Sequence, residues 1–313
     1  MSQATILVTG ADLAQQALDL LAGYEIVYAG KTPTEDDLVA LCRQHKPVAI
    51  IVRYGKVGAA VMDAAPGLQV ISKHGSGTDT IDKGAAQARG IEVVAAVGAN
   101  AAAVAEQALA LLLACAKSVV QLDARMHAGH WDKATHKSLE LGGRTVGLVG
   151  LGAIGLRFAR MADALGMRVI GFDPYAKNLP DYVQAVPLDT IWRESDAISL
   201  HCPLTDDNRN LLNAATLAQC QRGVIVVNTA RGGLIDEAAL LAAVRSGQVR
   251  AAGLDSFAVE PMVAGHPFQG EPHFLLSPHI GGVTSDAYVN MGVGAAQNLL
   301  AVLARRQGET ASA

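Results

Sequence analysis

Aromatic residues make up only 4% of the 313-residue chain, which leaves little surface for stacking bases. A formal net charge of −4 and an isoelectric point near 6.1 also lack the basic footprint of a nucleic-acid binder. No nucleic-acid partner is expected. Cysteine is equally sparse. The four residues, Cys42, Cys115, Cys202 and Cys220, form no CxxC pair and none of the spacings of a zinc site or disulfide framework. They read as buried or incidental thiols in a reducing compartment, so a cytoplasmic location is expected. Long hydrophobic runs are missing too. The most apolar segment, Ala101 to Ala116, is interrupted by Glu106 and Gln107 and is too short to span a bilayer. The first six residues lack the basic-then-apolar order of a signal peptide. No membrane partner is expected.

What is present is alternation. Short β-rich runs at Thr5–Thr9, Glu25–Tyr28, Val48–Arg53, Leu68–Lys73 and Ile91–Ala95 are separated by helical patterns. Further runs follow at Thr145–Val149, Met167–Phe172, Ala197–Cys202, Gly223–Thr229, Ala251–Leu254 and Phe274–Ser277. This is the signature of parallel sheets covered on both faces, an α/β protein. The length suits about two domains. Residues 1–98 are expected to form one, completed by the terminal helical run in 283–313, and residues 99–282 the other. A single long helical run, Ala101–Ala128, is expected to lead from the first to the second.

The most specific local pattern is Gly150-Leu151-Gly152-Ala153-Ile154-Gly155, which follows one apolar strand and opens a helix. In that setting the first glycine permits a tight turn and the second a close backbone approach to pyrophosphate. The third allows the helix to pack closely on its strand. The next strand ends in Asp173, an acid placed to accept hydrogen bonds from ribose hydroxyls and to repel a 2′-phosphate. The spacing predicts NAD rather than NADP as cofactor.

Three later residues carry chemistry. Arg231 follows the apolar strand Val224–Val227, at the sheet end where open α/β sheets bind ligands. There it could grip a carboxylate with its planar fork, or lie solvated. Glu260 and His279, each adjoining a proline, also lie just past apolar strands. A carboxylate beside an imidazole fixes its tautomer and steadies its charged form, which suits proton transfer, although a lone loop histidine often has no such role. The other eight histidines show no comparable setting and no HExxH spacing, so no metal is expected.

Taken with His201-Cys202-Pro203-Leu204-Thr205, Asn228–Gly233, Leu254–Pro261, Ser277–Gly282 and the loop Lys73-His74-Gly75-Ser76-Gly77-Thr78-Asp79, these motifs resemble the D-isomer-specific 2-hydroxyacid dehydrogenase family. The pattern is nearest to phosphoglycerate dehydrogenases and hydroxypyruvate reductases. The resemblance implies two doubly wound parallel-sheet domains, flavodoxin-like for substrate and Rossmann for NAD, closing over a cleft. It implies Arg231, Glu260 and His279 as catalytic residues. It also implies cofactor contacts from Val104, Gly150, Gly152, Ala153, Ile154, Gly155, Asp173, Cys202, Pro203, Thr205, Thr229, Ala230, Asp255 and Gly281. Hydride would pass between nicotinamide and C2 of a small anionic 2-hydroxyacid or 2-oxoacid, with substrate contacts from Arg53, Tyr54, Lys73, Ser76 and Gly77.

Lysine at 73 and Tyr54-Gly55 depart from the phosphoglycerate dehydrogenase pattern. Arg53 and Lys73, at adjacent strand ends, suggest a second anionic group such as the phosphate of 3-phosphoglycerate. The alternative is a structural ion pair at Arg53 and a solvated Lys73. A general glyoxylate or hydroxypyruvate reductase, a relative acting on formate or phosphite, and a non-enzymatic NAD-sensing protein on the same scaffold remain as other readings. No appended regulatory domain is expected after Ala313. The apolar face of Ala101–Ala116 and the segment His127–Trp131 need burial, and relatives pair through this region, so a homodimer is expected.

Overall fold

A computed structural model describes the backbone of residues 3–311 and the side chains of residues 3–308. The chain divides into two compact units. Unit 1 comprises the residues up to Asn100 and those from Val283 onward; unit 2 is Ala101–Gly282.

Unit 1 is a five-stranded parallel sheet of β1 (Thr5–Val8), β2 (Glu25–Tyr28), β3 (Ala49–Val52), β4 (Val70–Lys73) and β5 (Glu92–Ala95), in the order β2-β1-β3-β4-β5. This is the flavodoxin-like order, with its switch point between β1 and β3. All four residues of β1 and of β3 are buried, as strands covered on both faces require. The helices between them are α1 (Gln15–Leu20), α2 (Glu35–His45), α3 (Ala59–Asp63) and α4 (Lys83–Ala88). One face packs Leu7, Ile50, Val52 and Ile71 on Leu38, Cys42, Val61 and Met62. On the other, Ile6, Val8, Ile51 and Val70 meet Ala295, Ala296, Leu299, Val302 and Leu303 of the terminal helix. By length and composition residues 285–308 could cross a membrane; here that apolar stripe lies in the core of unit 1. The Ser72 hydroxyl donates to the Ala295 carbonyl at 2.8 Å and the Asn298 amide to the Ala95 carbonyl at 2.9 Å, fixing the helix in register.

Unit 2 opens with α5 (Ala101–Lys117) and α6 (Val119–His127). The single helical run expected over 101–128 is broken. Ser118 adopts a left-handed φ of 54°, and the two helices meet at 61°. The apolar face explains the position of the break. It is buried as far as Ala116, whereas α6 has no buried residue, so the chain leaves the core at that point.

The sheet of unit 2 has seven parallel strands: β6 (Thr145–Val149), β7 (Arg168–Phe172), β8 (Val183–Ala185), β9 (Ala197–Leu200), β10 (Val224–Asn228), β11 (Val249–Leu254) and β12 (Phe274–Leu276). Their order is β12-β11-β10-β9-β6-β7-β8, a Rossmann sheet extended by one strand, with its switch point between β6 and β9. Strand β8 was not anticipated from the sequence. It has three residues, two of them exposed, on the sheet edge. Helices α7 (Ala153–Ala164), α8 (Leu188–Glu194), α9 (Ala214–Gln219) and α10 (Glu237–Arg245) connect the strands, and α11 (Ser285–Ala311) is the helix that belongs to unit 1.

Candidate active site

In unit 2 the chain turns at Gly150, whose φ is 98°. A Cβ there would lie 2.6 Å from the Cys202 nitrogen, and one on Gly155 would lie 2.1 Å from the Gly150 carbonyl oxygen. Side chains are therefore excluded from the turn and from the first turn of α7. Beside Gly152 nothing lies within 4 Å, and no side chain caps the helix. The start of α7, at Ala153 and Ile154, is thus left for an anion, as a helix N-terminus favours. Asp173 stands at the end of β7. Its two oxygens accept the Leu151 and Tyr175 N–H groups, each at 2.8 Å, which leaves lone pairs for hydroxyl donors.

The loop after β9 completes this edge. His201 Nε2 lies 2.9 Å from the Ser199 hydroxyl, and its Nδ1 is buried with no partner. Burial pushes the ring down to about 4, so it stays neutral beneath the glycine turn. Asn208 accepts the Thr205 N–H at 2.7 Å and donates to the Pro203 carbonyl at 2.8 Å. Burial raises the Cys202 thiol to about 11, which removes it as a nucleophile at neutral pH. Thr229 and Ala230 follow β10, and the Thr229 hydroxyl is buried without a partner. Val104 is buried on α5. An uncapped helix end, open space at Gly152, an unpartnered buried hydroxyl and a fixed carboxylate at the end of β7 fit a dinucleotide.

Arg231, Glu260 and His279 lie on the loops following β10, β11 and β12, at the carboxyl edge of three neighbouring strands. The buried Asn228 side chain donates to the Arg231 carbonyl at 2.9 Å and accepts the Ala230 N–H at 3.0 Å. A Cβ on Gly232 would fall 1.9 Å from the Phe257 carbonyl carbon, so the arginine loop is pressed against the glutamate loop. Glu260 accepts the Phe257 N–H through Oε1 at 2.9 Å and lies 2.7 Å from His279 Nδ1 through Oε2. The pair orients the ring and leaves Nε2 as the nitrogen for proton exchange.

His279 has a φ of 54°, held there by Asp255. Among the described residues Asp255 is 2% exposed and accepts from the Ser277 hydroxyl, Ile280 N–H and Gly281 N–H. Asp255 and Gly281 were expected as cofactor contacts. Both Asp255 oxygens accept from this loop, Oδ2 from the Gly281 N–H, so the two residues hold the histidine loop in place, and a carboxylate engaged in this way keeps lone-pair capacity for a further donor.

The expected substrate residues lie in unit 1 at the carboxyl ends of β3 and β4. The Arg53 guanidinium pairs with the Asp12 carboxylate and donates to the Asp12 carbonyl at 2.6 Å. It lies 5.3 Å from the Tyr54 ring centroid and 5.0 Å from that of Tyr288. The Thr9 hydroxyl accepts the Arg53 N–H at 3.0 Å, fixing the backbone. Lys73 Nζ donates to the Arg53 carbonyl at 3.1 Å. Ser76 is exposed and accepts the Gly98 N–H at 3.2 Å; Gly77 follows it in the same loop.

The family model of the D-isomer specific 2-hydroxyacid dehydrogenase, NAD binding domain, matches residues 109–281. The chain belongs to this family. It is 39% identical over 283 residues to a hydroxypyruvate reductase of Thermotoga maritima, covering 90% of this chain and 92% of that one. It is 41% identical over 260 residues to a D-3-phosphoglycerate dehydrogenase of Mycobacterium leprae, covering 82% of this chain and 49% of that one. The chain spans about half the length of the phosphoglycerate dehydrogenases it matches. A glyoxylate reductase structure from Paecilomyes thermophila superposes with a TM-score of 0.86 at 29% identity, covering 96% of this chain and 95% of that one.

As a D-2-hydroxyacid dehydrogenase the chain is an NAD-dependent oxidoreductase. Sequence reasoning missed several residues that hold the expected site residues in each unit: Asn228 and Asn208 in unit 2, and, separately, Thr9, Asp12 and Tyr288 in unit 1. Asn228 sits within a recognised motif and could have been found there. Asp12 and Tyr288 are 276 positions apart in the chain, and no local pattern links them.

Proposed function

We propose that this dehydrogenase interconverts a small D-2-hydroxyacid and its 2-oxoacid, and that its preferred 2-oxoacid has one carboxylate and a neutral hydroxyl-bearing arm, as in hydroxypyruvate. The 2.7 Å pair of Glu260 and His279 carries the reaction assignment. When bound, the nicotinamide supplies or accepts the hydride at C2. Arg231 holds the carboxylate with its fork and polarises the neighbouring oxygen. His279 Nε2 gives a proton to that oxygen in reduction and takes it back in oxidation, while the Glu260 carboxylate steadies the imidazolium.

The Arg53–Asp12 pair supports the arm assignment, because the guanidinium charge already has a partner. The resemblance to a hydroxypyruvate reductase over nearly its whole length agrees. A doubly anionic acid such as 3-phosphoglycerate is the second reading, supported by Lys73 at the adjacent strand end. NADH oxidation measured with hydroxypyruvate, glyoxylate, pyruvate and 3-phosphohydroxypyruvate tests both. The highest kcat/KM is expected with hydroxypyruvate. A preference for the phosphorylated acid selects the second reading, and no turnover with any of them returns the protein to an NAD-sensing role.

A homodimer forming through α6 and the segment after it belongs to the same proposal. Val119, Val120 and Met126 are more than half exposed, and Trp131 is 75% exposed, an apolar surface of the kind that marks an interface. Light scattering on the intact protein is expected to give twice the chain mass, and Trp131→Glu to shift it toward the monomer.

A further inference from the structure

The scarce aromatic side chains are not spread evenly. Three of the six tyrosines, Tyr28, Tyr54 and Tyr288, gather around the Asp12–Arg53 pair. Tyr288 donates its hydroxyl to Asp12 Oδ1 at 2.9 Å. Burial and then the Asp12 charge raise the Tyr28 phenol. The pair occupies a particular place in unit 1. Asp12 follows β1 and Arg53 follows β3, the two strands flanking the switch point, where an open parallel sheet binds its ligand. His74, at the end of β4, closes the same corner with its ring centroid 5.8 Å from that of Tyr288 and its Nε2 buried without a partner.

The layering sets the chemistry. The Arg53 side chain is 11% exposed and the Asp12 side chain is 66% exposed, so the acid covers the cation on the solvent side. A ligand arriving at this corner meets the Asp12–Arg53 ion pair and phenol groups, not a bare guanidinium, with the Lys73 ammonium held behind on the Arg53 carbonyl at 3.1 Å. An incoming phosphate would have to displace Asp12 or share Arg53 with it at close range, and like charges at that range repel. A hydroxyl could donate to the exposed carboxylate at no such cost.

We infer that Asp12 is a specificity-determining residue: by covering Arg53, and with Tyr288 holding it in place, it makes this corner a subsite for a neutral, hydroxyl-bearing arm and excludes a second anionic group. The inference rests on the proposed 2-oxoacid chemistry for its substrate, but the electrostatic exclusion is testable without turnover.

The test uses the full chain saturated with NADH, so that the glycine turn is occupied. Binding of inorganic phosphate is titrated by calorimetry at low ionic strength. Asp12→Asn is expected to bind phosphate at least tenfold more tightly than the unsubstituted chain, with the gain abolished in Asp12→Asn/Arg53→Gln. In parallel, kcat/KM for 3-phosphohydroxypyruvate relative to hydroxypyruvate should rise about tenfold, carried by a lower KM for the phosphorylated acid. Tyr288→Phe keeps both charges and removes one partner of Asp12. It should move both measurements the same way by a smaller factor, and it decides the question if Asp12→Asn does not fold. Unchanged phosphate affinity in a folded variant overturns the inference. If the unsubstituted chain reduces no 2-oxoacid, the proposed reaction fails while the phosphate titration still judges Asp12.

Discussion

Asp255 fastens the chain immediately beyond His279, accepting the Ile280 and Gly281 N–H groups at 2.9 and 2.7 Å. The left-handed histidine is thereby bracketed between a buried clamp and the Glu260 carboxylate. Asp255→Asn replaces one acceptor oxygen with an amide that faces a donor. The expected cost is about 1.5–3 kcal/mol, since a charged acceptor is lost and a buried donor left unmet. A thermal melt should show the loss, and kcat should fall with it because a displaced ring misses its geometry. An unchanged kcat in the destabilised variant would confine the clamp to folding.

The loops that carry Arg231 and His279 give sharper expectations. His279→Asn keeps a polar side chain but cannot carry the proton, so turnover should fall by roughly two to four orders of magnitude. NADH affinity, followed by fluorescence, should be little altered. Arg231→Lys retains the charge without the planar fork and should lose about 1.5–3 kcal/mol of transition-state stabilisation, read from kcat/KM. Near-normal rates in either variant would move the chemistry to other groups.

Asp173 tests the cofactor assignment. Its oxygens are fixed by Leu151 and Tyr175 N–H groups, so a 2′-phosphate cannot simply push the carboxylate aside. NAD should be preferred over NADP by at least tens-fold, corresponding to about 2 kcal/mol or more. Asp173→Ala should narrow that gap, mainly by improving NADP. Equal use of the two cofactors by the unsubstituted protein would place the ribose elsewhere.

The legible parts of the molecule were those encoded over short stretches. The β6 run, the glycine turn and α7 are contiguous, and Asp173 lies only one strand further on. Arg231, Glu260 and His279 were found because each follows an apolar strand of a parallel sheet, and that position is itself a local property. What escaped depends on tertiary placement. Strand β8 is three residues long and pairs only with β7, too short to show a period. The break at Ser118 marks where the buried stripe of α5 ends, which depends on what the helix packs against. The covering of Arg53 by Asp12 joins positions 41 residues apart, and Tyr288 reaches them from the far end of the chain. Arg53 read singly suggested a bare cation; the structure pairs it with Asp12.

Two histidines should govern the response to acid. Burial lowers His74 from 6.5 to about 4, helped by the Arg53 charge, and burial alone takes His201 to about 4. In the unfolded chain both recover the ordinary value near 6.5. Between these values the unfolded state binds more protons than the folded one, so stability must fall as pH drops from about 6.5 toward 4. By pH 5 the loss is roughly 1–2 kcal/mol for each ring. Asp12 does not add to it in that window. The Tyr288 hydrogen bond, followed by Arg53, holds its carboxyl below the usual 3.8, so its stabilising share is lost only at more acid pH. Urea unfolding at pH 7 and pH 5 should therefore show a lower midpoint at pH 5. His74→Gln and His201→Gln should each flatten the difference, whatever they do to stability at pH 7. A pH dependence unchanged in both variants would mean that the rings are protonated in the folded protein and that their burial is offset by charge partners.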